Sequence, residues 1–280
     1  MRSGIVTLLT DFGFADYFVG AMKGVILTRS PSATIVDITH SIPPHDIRAA
    51  AFILNGAYSC FPAGSIHLAV VDPGVGSDRR PIVVETSKYI FVGPDNGLFS
   101  IVLQRLPEAQ VRHVTNSKYF LPSLSSTFHG RDLFAPVAAA LASGLSPEAL
   151  GPIVKDPIRL GFAQNELTTD GSVLGTIIHV DYFGNCVTSF EPEKFPALLA
   201  GQRFCLSVKE INIRTLRKHY AEVAANADEP FLVAGSAGYL EISLQCSSAA
   251  RELKITVGEP LRLVLEPNSQ GNRERARVRV

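Results

Sequence analysis

A chain of 280 residues can fold as two ordinary domains with sizeable cores, and its 26 basic residues balance 26 acidic ones, so no net field draws it to a polyanion such as duplex nucleic acid. Cys60, Cys186, Cys205 and Cys246 lie far apart with no C-x-x-C spacing, which excludes a zinc ribbon or a thioredoxin-like pair and reads as ordinary buried thiols in a reducing compartment. The opening MRSGIVTLLTDFG has too short an apolar run for a signal peptide, and no stretch is long and apolar enough to span a bilayer, so the expectation is a cytoplasmic protein acting on a small polar substrate, without membrane or nucleic-acid partners.

GIVTLLT (4–10) reads as a strand, and DYFVGAMKGVILTRS (16–30) as a helix that gathers Phe18, Val19, Met22, Val25 and Ile26 on one face. TIVDIT (34–39) predicts the next strand and DIRAAAFILNGAYSC (46–60) the next helix. Short β-branched runs follow at SIHLAVVD (65–72), PIVVET (81–86) and YIFVG (89–93), then helices at NGLFSIVLQRL (96–106) and RDLFAPVAAALASG (131–144). Strands alternating with helices imply a mostly parallel sheet covered on both faces, an N-terminal α/β domain over about 1–160.

Proline, glycine and polar residues accumulate around 145–172, and 161–171 reads as a linker. Beyond it the rhythm changes to short strands with turns between them: VLGTIIHVD (173–181), CVTSF (186–190), RFCLSV (203–208), PFLVAGS (230–236), YLEISLQ (239–245), LRLVLE (261–266) and RARVRV (275–280). This predicts a smaller, antiparallel, barrel-like β domain over 172–280. The terminal Arg/Val alternation reads as an edge strand with one charged face rather than a basic arm.

Polar residues gather where α/β sheets present ligands, just past the strand ends. TDFGFAD carries Asp11 above the first strand tip and Asp16 at the helix start, where Asp16 reads equally well as a helix cap. VVDPGVGSDRR (70–80) ends a strand with Asp72, turns on Gly74 and Gly76, and allows Arg79 to fold back toward the acid. A phosphate cradle would need a helix after the glycines, and here a strand follows. SSTFHGRDLFAP (125–136) brings His129 to a helix start, with Asp132 in its first turn. Asp37, His40, His45 and Asp46 resemble scattered metal ligands, but Pro43 and Pro44 keep the two histidines off a common face, so no metal site is expected. HVDYFGNCVT (179–188) offers Phe183 to stack on a base and Asn185 to read an adenine edge, although spacing alone favours a plain hairpin with Gly184 and Asn185 at its tip.

The ordered set LLTDFG (8–13), VVDPGVGSDRR (70–80), GPDNGL (93–98), TFHGRD (127–132), VDYFGN (180–185) and GSAGYLEIS (235–243) resembles the S-adenosylmethionine hydroxide adenosyltransferase family, relatives of the fluorinating and chlorinating enzymes. The resemblance spans nearly the whole chain and implies cleavage of S-adenosylmethionine by water to adenosine and L-methionine. It assigns Asp72, Arg79 and His129 to the reacting water, Asp11 to the ribose hydroxyls, and Asp16 with Asp181 to the methionine ammonium. Phe183 and Asn185 would take the adenine and Ser236 the methionine carboxylate, with Glu241 a further contact. It also implies a homotrimer with sites between subunits, and no cofactor. Two departures stand out: Ala237 replaces an arginine that the halogenating relatives place beside the serine, and His45 replaces their tryptophan. Those relatives carry neutral residues where Asp72 and His129 stand, which disfavours the rival reading of a halide adenosyltransferase. A binding or sensing module for an adenosyl ligand, and a metal-dependent hydrolase, are the other rivals.

Overall fold

The computed structural model describes residues 3–162, 165–222 and 229–266. The chain divides into two compact units, Met1–Gly161 and Phe162–Val280.

The first unit contains β1 (Ile5–Thr10), α1 (Phe18–Arg29), β2 (Thr34–Thr39), α2 (Ile47–Ala57), β3 (Ile66–Val70), β4 (Pro81–Glu85), β5 (Ile90–Pro94), α3 (Ser100–Arg105), β6 (Gln110–His113) and α4 (Ala135–Ala142). Its six-stranded sheet runs β2-β1-β3-β5-β4-β6. The first four strands are parallel neighbours, and β4 runs antiparallel between β5 and β6.

Side chains on successive strand residues point to opposite faces, so each buried strand feeds two cores. Val6 and Leu8 of β1 pack with Met22 and Ile26 of α1 and with Val137, Ala138 and Leu141 of α4. Leu9, Ala69 and Phe91 belong to the other face, with Ala50 and Leu54 of α2 and Val102 of α3. Asp46 caps α2, its Oδ1 accepting from Ala49 N at 2.9 Å. β6 escapes the sequence reading because QVRH is short and half polar; it forms between β4 and the 152–154 segment, partners distant in sequence. The helix expected over 96–106 is confined to Ser100–Arg105, because Asn96 and Gly97 are used in the turn before it: Asn96 Nδ2 donates to Val71 O at 2.8 Å, and Gly97 has φ 96°.

The second unit contains β7 (Glu166–Leu167), β8 (Val173–Val180), β9 (Cys186–Thr188), α5 (Pro196–Leu199), β10 (Phe204–Val208), β11 (Ile211–Ile213), β12 (Leu216–Arg217), β13 (Phe231–Ala234), β14 (Leu240–Ser243), α6 (Ala249–Glu252) and β15 (Pro260–Leu265). Among the described residues nine strands form one sheet in the order β11-β10-β15-β8-β9-β14-β13-β12, with β7 beside β8. All pairings except β12 with β13 are antiparallel. β8 pairs with β15 along its first half and with β9 along its second, with a register shift between Ile177 and His179. Such an irregularity bends a strand and lets a sheet curl toward a barrel. The concave side holds Phe190, Phe204, Leu206, Leu240, Ile242 and Leu263.

The 161–171 stretch, read from sequence as a linker, contains β7, which pairs with β8. A turn follows in which Thr168 N donates to Ser172 O at 2.9 Å. The strand expected at 275–280 lies outside the described residues. All four cysteines are free, but only Cys186 is buried, while Cys60 and Cys246 are exposed. That corrects the expectation of buried thiols: Cys60 closes a short surface helical turn and Cys246 sits in a tight turn with φ 55°. Among the described residues no helix is long and apolar enough to cross a membrane.

Candidate active site

In the first unit the parallel pairing of β1 with β3, Thr10 opposite Val70, carries Asp11 and Asp72 to the same end of the sheet. After Asp72 the chain makes two tight turns, with Val75 N donating to Asp72 O at 3.2 Å and Ser77 N to Gly74 O at 3.1 Å. Gly76 has φ 79°, and a Cβ there would lie 2.4 Å from the carbonyl oxygen of Ser126. Only glycine allows this approach, and the approach docks the 72–79 loop onto the 125–129 segment.

The docking brings three side chains into one cluster. Arg79 Nε donates to Asp72 Oδ1 at 3.0 Å and Oδ2 at 2.9 Å, and Arg79 Nη2 to Asp72 Oδ2 at 2.5 Å. Arg79 Nη2 also lies 2.8 Å from His129 Nδ1. Both members of the Asp72–Arg79 pair are nearly buried, their side chains 5% and 8% exposed, and the guanidinium carbon stands 5.1 Å from the centre of the Phe134 ring. Burial and then the Arg79 charge push the His129 pKa below its usual value, outweighing the opposite pull of Asp72 and Asp132.

His129 is followed by a π-helical turn, Gly130–Phe134, before α4. Such turns commonly accompany functional sites. Asp132 does more than occupy a helix first turn: its Oδ2 accepts from Ser125 N at 2.8 Å and Arg131 Nε donates to its Oδ1 at 2.5 Å. Burial raises the Asp132 pKa, but the bonds from Arg131 and Ser125 outweigh it and hold the carboxyl below its ordinary range. Next along the sheet edge, Arg80 Nε donates to Asp95 Oδ2 at 2.8 Å, and Asp95 Oδ1 accepts from Ile158 N at 2.8 Å. The GPDNGL stretch thus anchors the residue after Arg79.

Asp11 Oδ2 accepts from His45 N at 2.9 Å, a residue in the left-handed region at φ 68°. Asp16 is exposed and caps nothing, because α1 begins at Phe18 with Tyr17 before it. Asp37 and His40 are engaged elsewhere: Lys23 Nζ donates to Asp37 Oδ2 at 2.6 Å, and His40 Nδ1 is 2.8 Å from Thr10 Oγ1. Among the described residues no group of three or more metal-ligating side chains converges.

In the second unit a cavity of about 1020 Å³ is lined by Asp181, Phe183, Asn185, Ser236 and Glu241, every residue of this unit singled out from sequence. The β8–β9 connection is the expected hairpin, with Gly184 at φ 86°. Asn185 N and Nδ2 donate to Asp181 Oδ1 and Oδ2, each at 2.8 Å. The Asn185 side-chain oxygen and one side-chain amide hydrogen therefore remain for a ligand. Phe183 is 74% exposed, as a stacking platform requires. Glu241, 7% exposed, accepts from Tyr220 Oη at 2.6 Å. Burial raises its pKa, the Tyr220 bond opposes this, and the Asp181 charge adds to the rise.

The sequence reading missed Tyr220, Cys246, Ser247, Ser248 and Arg251, which also line this cavity. No local pattern signals them: Tyr220 follows a two-residue strand and Arg251 lies in a four-residue helix.

A doubly covered α/β unit with an acid–guanidinium–imidazole cluster past its strand tips, followed by a barrel-like β unit with a ligand-sized cavity, defines a two-domain class of small-molecule enzyme. Within that class the chain belongs to the SAM hydroxide adenosyltransferase family, whose N-terminal domain matches residues 6–151 and whose C-terminal domain matches residues 175–262. It is 37% identical over 268 residues to the (R)-S-adenosyl-L-methionine hydrolase of Thermus thermophilus, covering 92% of this chain and 99% of that one. It is 34% identical over 272 residues to the protein of the same name from Methanocaldococcus jannaschii, covering 93% and 95%. The fluorinase of an Actinoplanes species is more distant, 24% identical over 283 residues. Among solved structures, an uncharacterized conserved protein from Thermotoga maritima superposes with a TM-score of 0.84 at 33% identity, covering 92% of this chain and 99% of that one.

Proposed function

We propose that this protein hydrolyses S-adenosyl-L-methionine to adenosine and L-methionine. The observation that carries the reading is the nearly buried Asp72–Arg79 pair with His129 hydrogen-bonded to the same guanidinium. The family's name and the names of its hydrolase members support the substrate.

In this reaction a water oxygen attacks carbon 5′ of the ribose opposite the C–S bond. The C–S electron pair passes to sulfur, giving neutral methionine thioether, and the water loses a proton. Alignment at near-attack distance in a site shielded from bulk water supplies much of the acceleration. Arg79 stays protonated and has no acceptor atom, so it orients and polarises. Its Nη2 hydrogen bond requires His129 Nδ1 to present a lone pair, which puts the imidazole proton on Nε2 and makes that atom a donor to the water oxygen. Asp72 keeps an unfilled acceptor site on Oδ1 and takes the proton. Asp11 holds the ribose hydroxyls, Asp16 and Asp181 the ammonium, Phe183 and Asn185 the adenine, Ser236 the carboxylate, with Glu241 as added negative charge near the cationic ligand.

The protein works in the cytoplasm as a homotrimer, without metal or organic cofactor, nucleic acid or membrane. Candidate residues divided between the two units support an assembly in which one subunit's α/β unit and a neighbour's β unit together complete each site. Incubation of S-adenosylmethionine in oxygen-18 water tests the chemistry: adenosine labelled at its 5′ oxygen is expected, with or without chloride and with a chelator present. Unlabelled adenosine, a chlorinated nucleoside, intact substrate or loss of turnover in chelator would overturn it. Light scattering of the eluted protein tests the trimer.

A further inference from the structure

Among the described residues Arg251 is the one cation lining the cavity of the second unit, which also presents the acids Asp181 and Glu241. Glu241 and Arg251 reach it from different elements. A Cβ on Gly235 would meet Glu241 Oε1, so Glu241 and Ser236 share the end near the β13–β14 turn. Arg251 belongs to α6, which follows β14 at its other end and is docked on the Asp181–Asn185 loop: Ala250 N donates to Gly184 O at 2.9 Å, and a Cβ on Gly184 would collide with Ser248 Oγ. Ser236 precedes β14 and α6 follows it, and the four residues of the strand span roughly 10 Å. Arg251 is therefore carried by the element docked beside the Phe183–Asn185 loop, whereas Ser236 precedes β14.

Its protein partner is weak. Arg251 Nε and Nη2 share a single oxygen of the adjacent Glu252 at 3.2 and 3.1 Å, and both side chains are largely exposed, 76% and 50%. Such a pair contributes little and is readily exchanged for a ligand. A purine offers a guanidinium a π face to stack on and ring nitrogens that accept its N–H groups.

Resting on the proposed substrate, we infer that Arg251 is a base-recognition residue: its guanidinium closes the Phe183–Asn185 end of the cavity over the adenine ring and does not hold the methionine carboxylate. Calorimetry of the full chain with adenosine and, separately, with L-methionine distinguishes these roles. Arg251→Ala should weaken adenosine about tenfold, on the order of one cation–π contact, and leave L-methionine unchanged. Arg251→Lys, which keeps the charge and loses the plane, should fall between. In turnover the alanine variant should raise KM and spare kcat. Unchanged adenosine affinity, or weakening of L-methionine alone or of both ligands equally, overturns the inference. If the unmodified protein binds adenosine but never cleaves the sulfonium, the proposed reaction falls while this assignment stands; if it binds no adenosine, both fall.

Discussion

Arg79 Nη2 lies 2.8 Å from His129 Nδ1, joining a strand-tip loop to the start of a helical segment 50 residues further on. A guanidinium only donates, so the contact exists only while the imidazole is neutral. The His129 pKa is accordingly set below its reference of 6.5, by burial first and the Arg79 charge second. The sign follows: the unfolded chain takes up this proton more readily, so the stability linked to neutral His129 is complete above 6.5 and is lost as pH falls through 6.5 toward the lowered folded value. NMR titration should place His129 below 6.5, shift it upward in Arg79→Gln and further downward in Asp72→Asn, with the acid limb of kcat in the unmodified protein following the same group. A His129 that titrates at or above 6.5 would contradict the geometry.

Replacing Arg79 by lysine keeps the charge but loses the fork that grips Asp72 and reaches His129. kcat should fall about 10²- to 10³-fold, the range for losing one preorganised donor, with circular dichroism unchanged. Asp72→Ala and His129→Ala should each be comparably damaging, and their combination far from additive because the three groups act as one unit. Additive losses would show that the cluster is not one device.

Gly76→Ala tests whether loop docking assembles the cluster. The substitution meets both an unfavourable φ of 79° and the Ser126 carbonyl at 2.4 Å. A cost of about 1–3 kcal/mol is expected, read as a lower Tm, together with a fall in kcat as Arg79 and His129 separate. Retained kcat at a lowered Tm would mean that other contacts hold the two residues together.

Much of this architecture was legible in the sequence where local signals agreed. TIVDIT at 34–39 is β2 residue for residue, and of the helical face, Phe18, Met22, Val25 and Ile26 pack into one core, with Val19 buried as well. Asp72 and Arg79 were readable as a pair because glycines between them allow reversal, and Gly76 uses that freedom. What escaped depended on partners distant in sequence. β6 exists through β4 and the 152–154 segment, and α6 through Gly184 and Ser248. Asp132 is a first-turn acid as its place in the sequence indicates, but such an acid looks the same from sequence whether it faces solvent or holds Ser125 N. Asp16 shows the reverse: its place before a helix suggested a cap, but the helix starts two residues later.

The buried Thr10–His40 pair supports the loop that carries Asp11. Thr10 Oγ1 accepts from Phe12 N at 3.2 Å and lies 2.8 Å from His40 Nδ1, and His40 Nε2 lies 3.0 Å from Asp37 Oδ1. His40→Ala leaves Thr10 without its partner and opens space beneath the loop. The expected result is a higher KM for S-adenosylmethionine with kcat little changed, and an Asp11→Ala exchange should add little in the His40→Ala background. Independent, additive effects on KM would separate the Thr10–His40 pair from Asp11.

Glu241 sets stability against binding. It is buried, and its pKa is raised by desolvation and by the Asp181 charge, with the Tyr220 hydrogen bond the opposing force. A raised carboxyl pKa means that ionisation is harder in the folded state, so this group costs stability as pH rises above the usual carboxylate range. Glu241→Gln keeps an oxygen for Tyr220 Oη and removes the buried charge. It should raise Tm at neutral pH and also raise KM for the cationic substrate. Tyr220→Phe removes the one bond that favours the ionised form, so the carboxyl should protonate at higher pH and the increase of KM toward acid should begin earlier. A variant Glu241→Gln with lowered Tm and unchanged KM would show that the acid is kept for structure and does not attract the ligand.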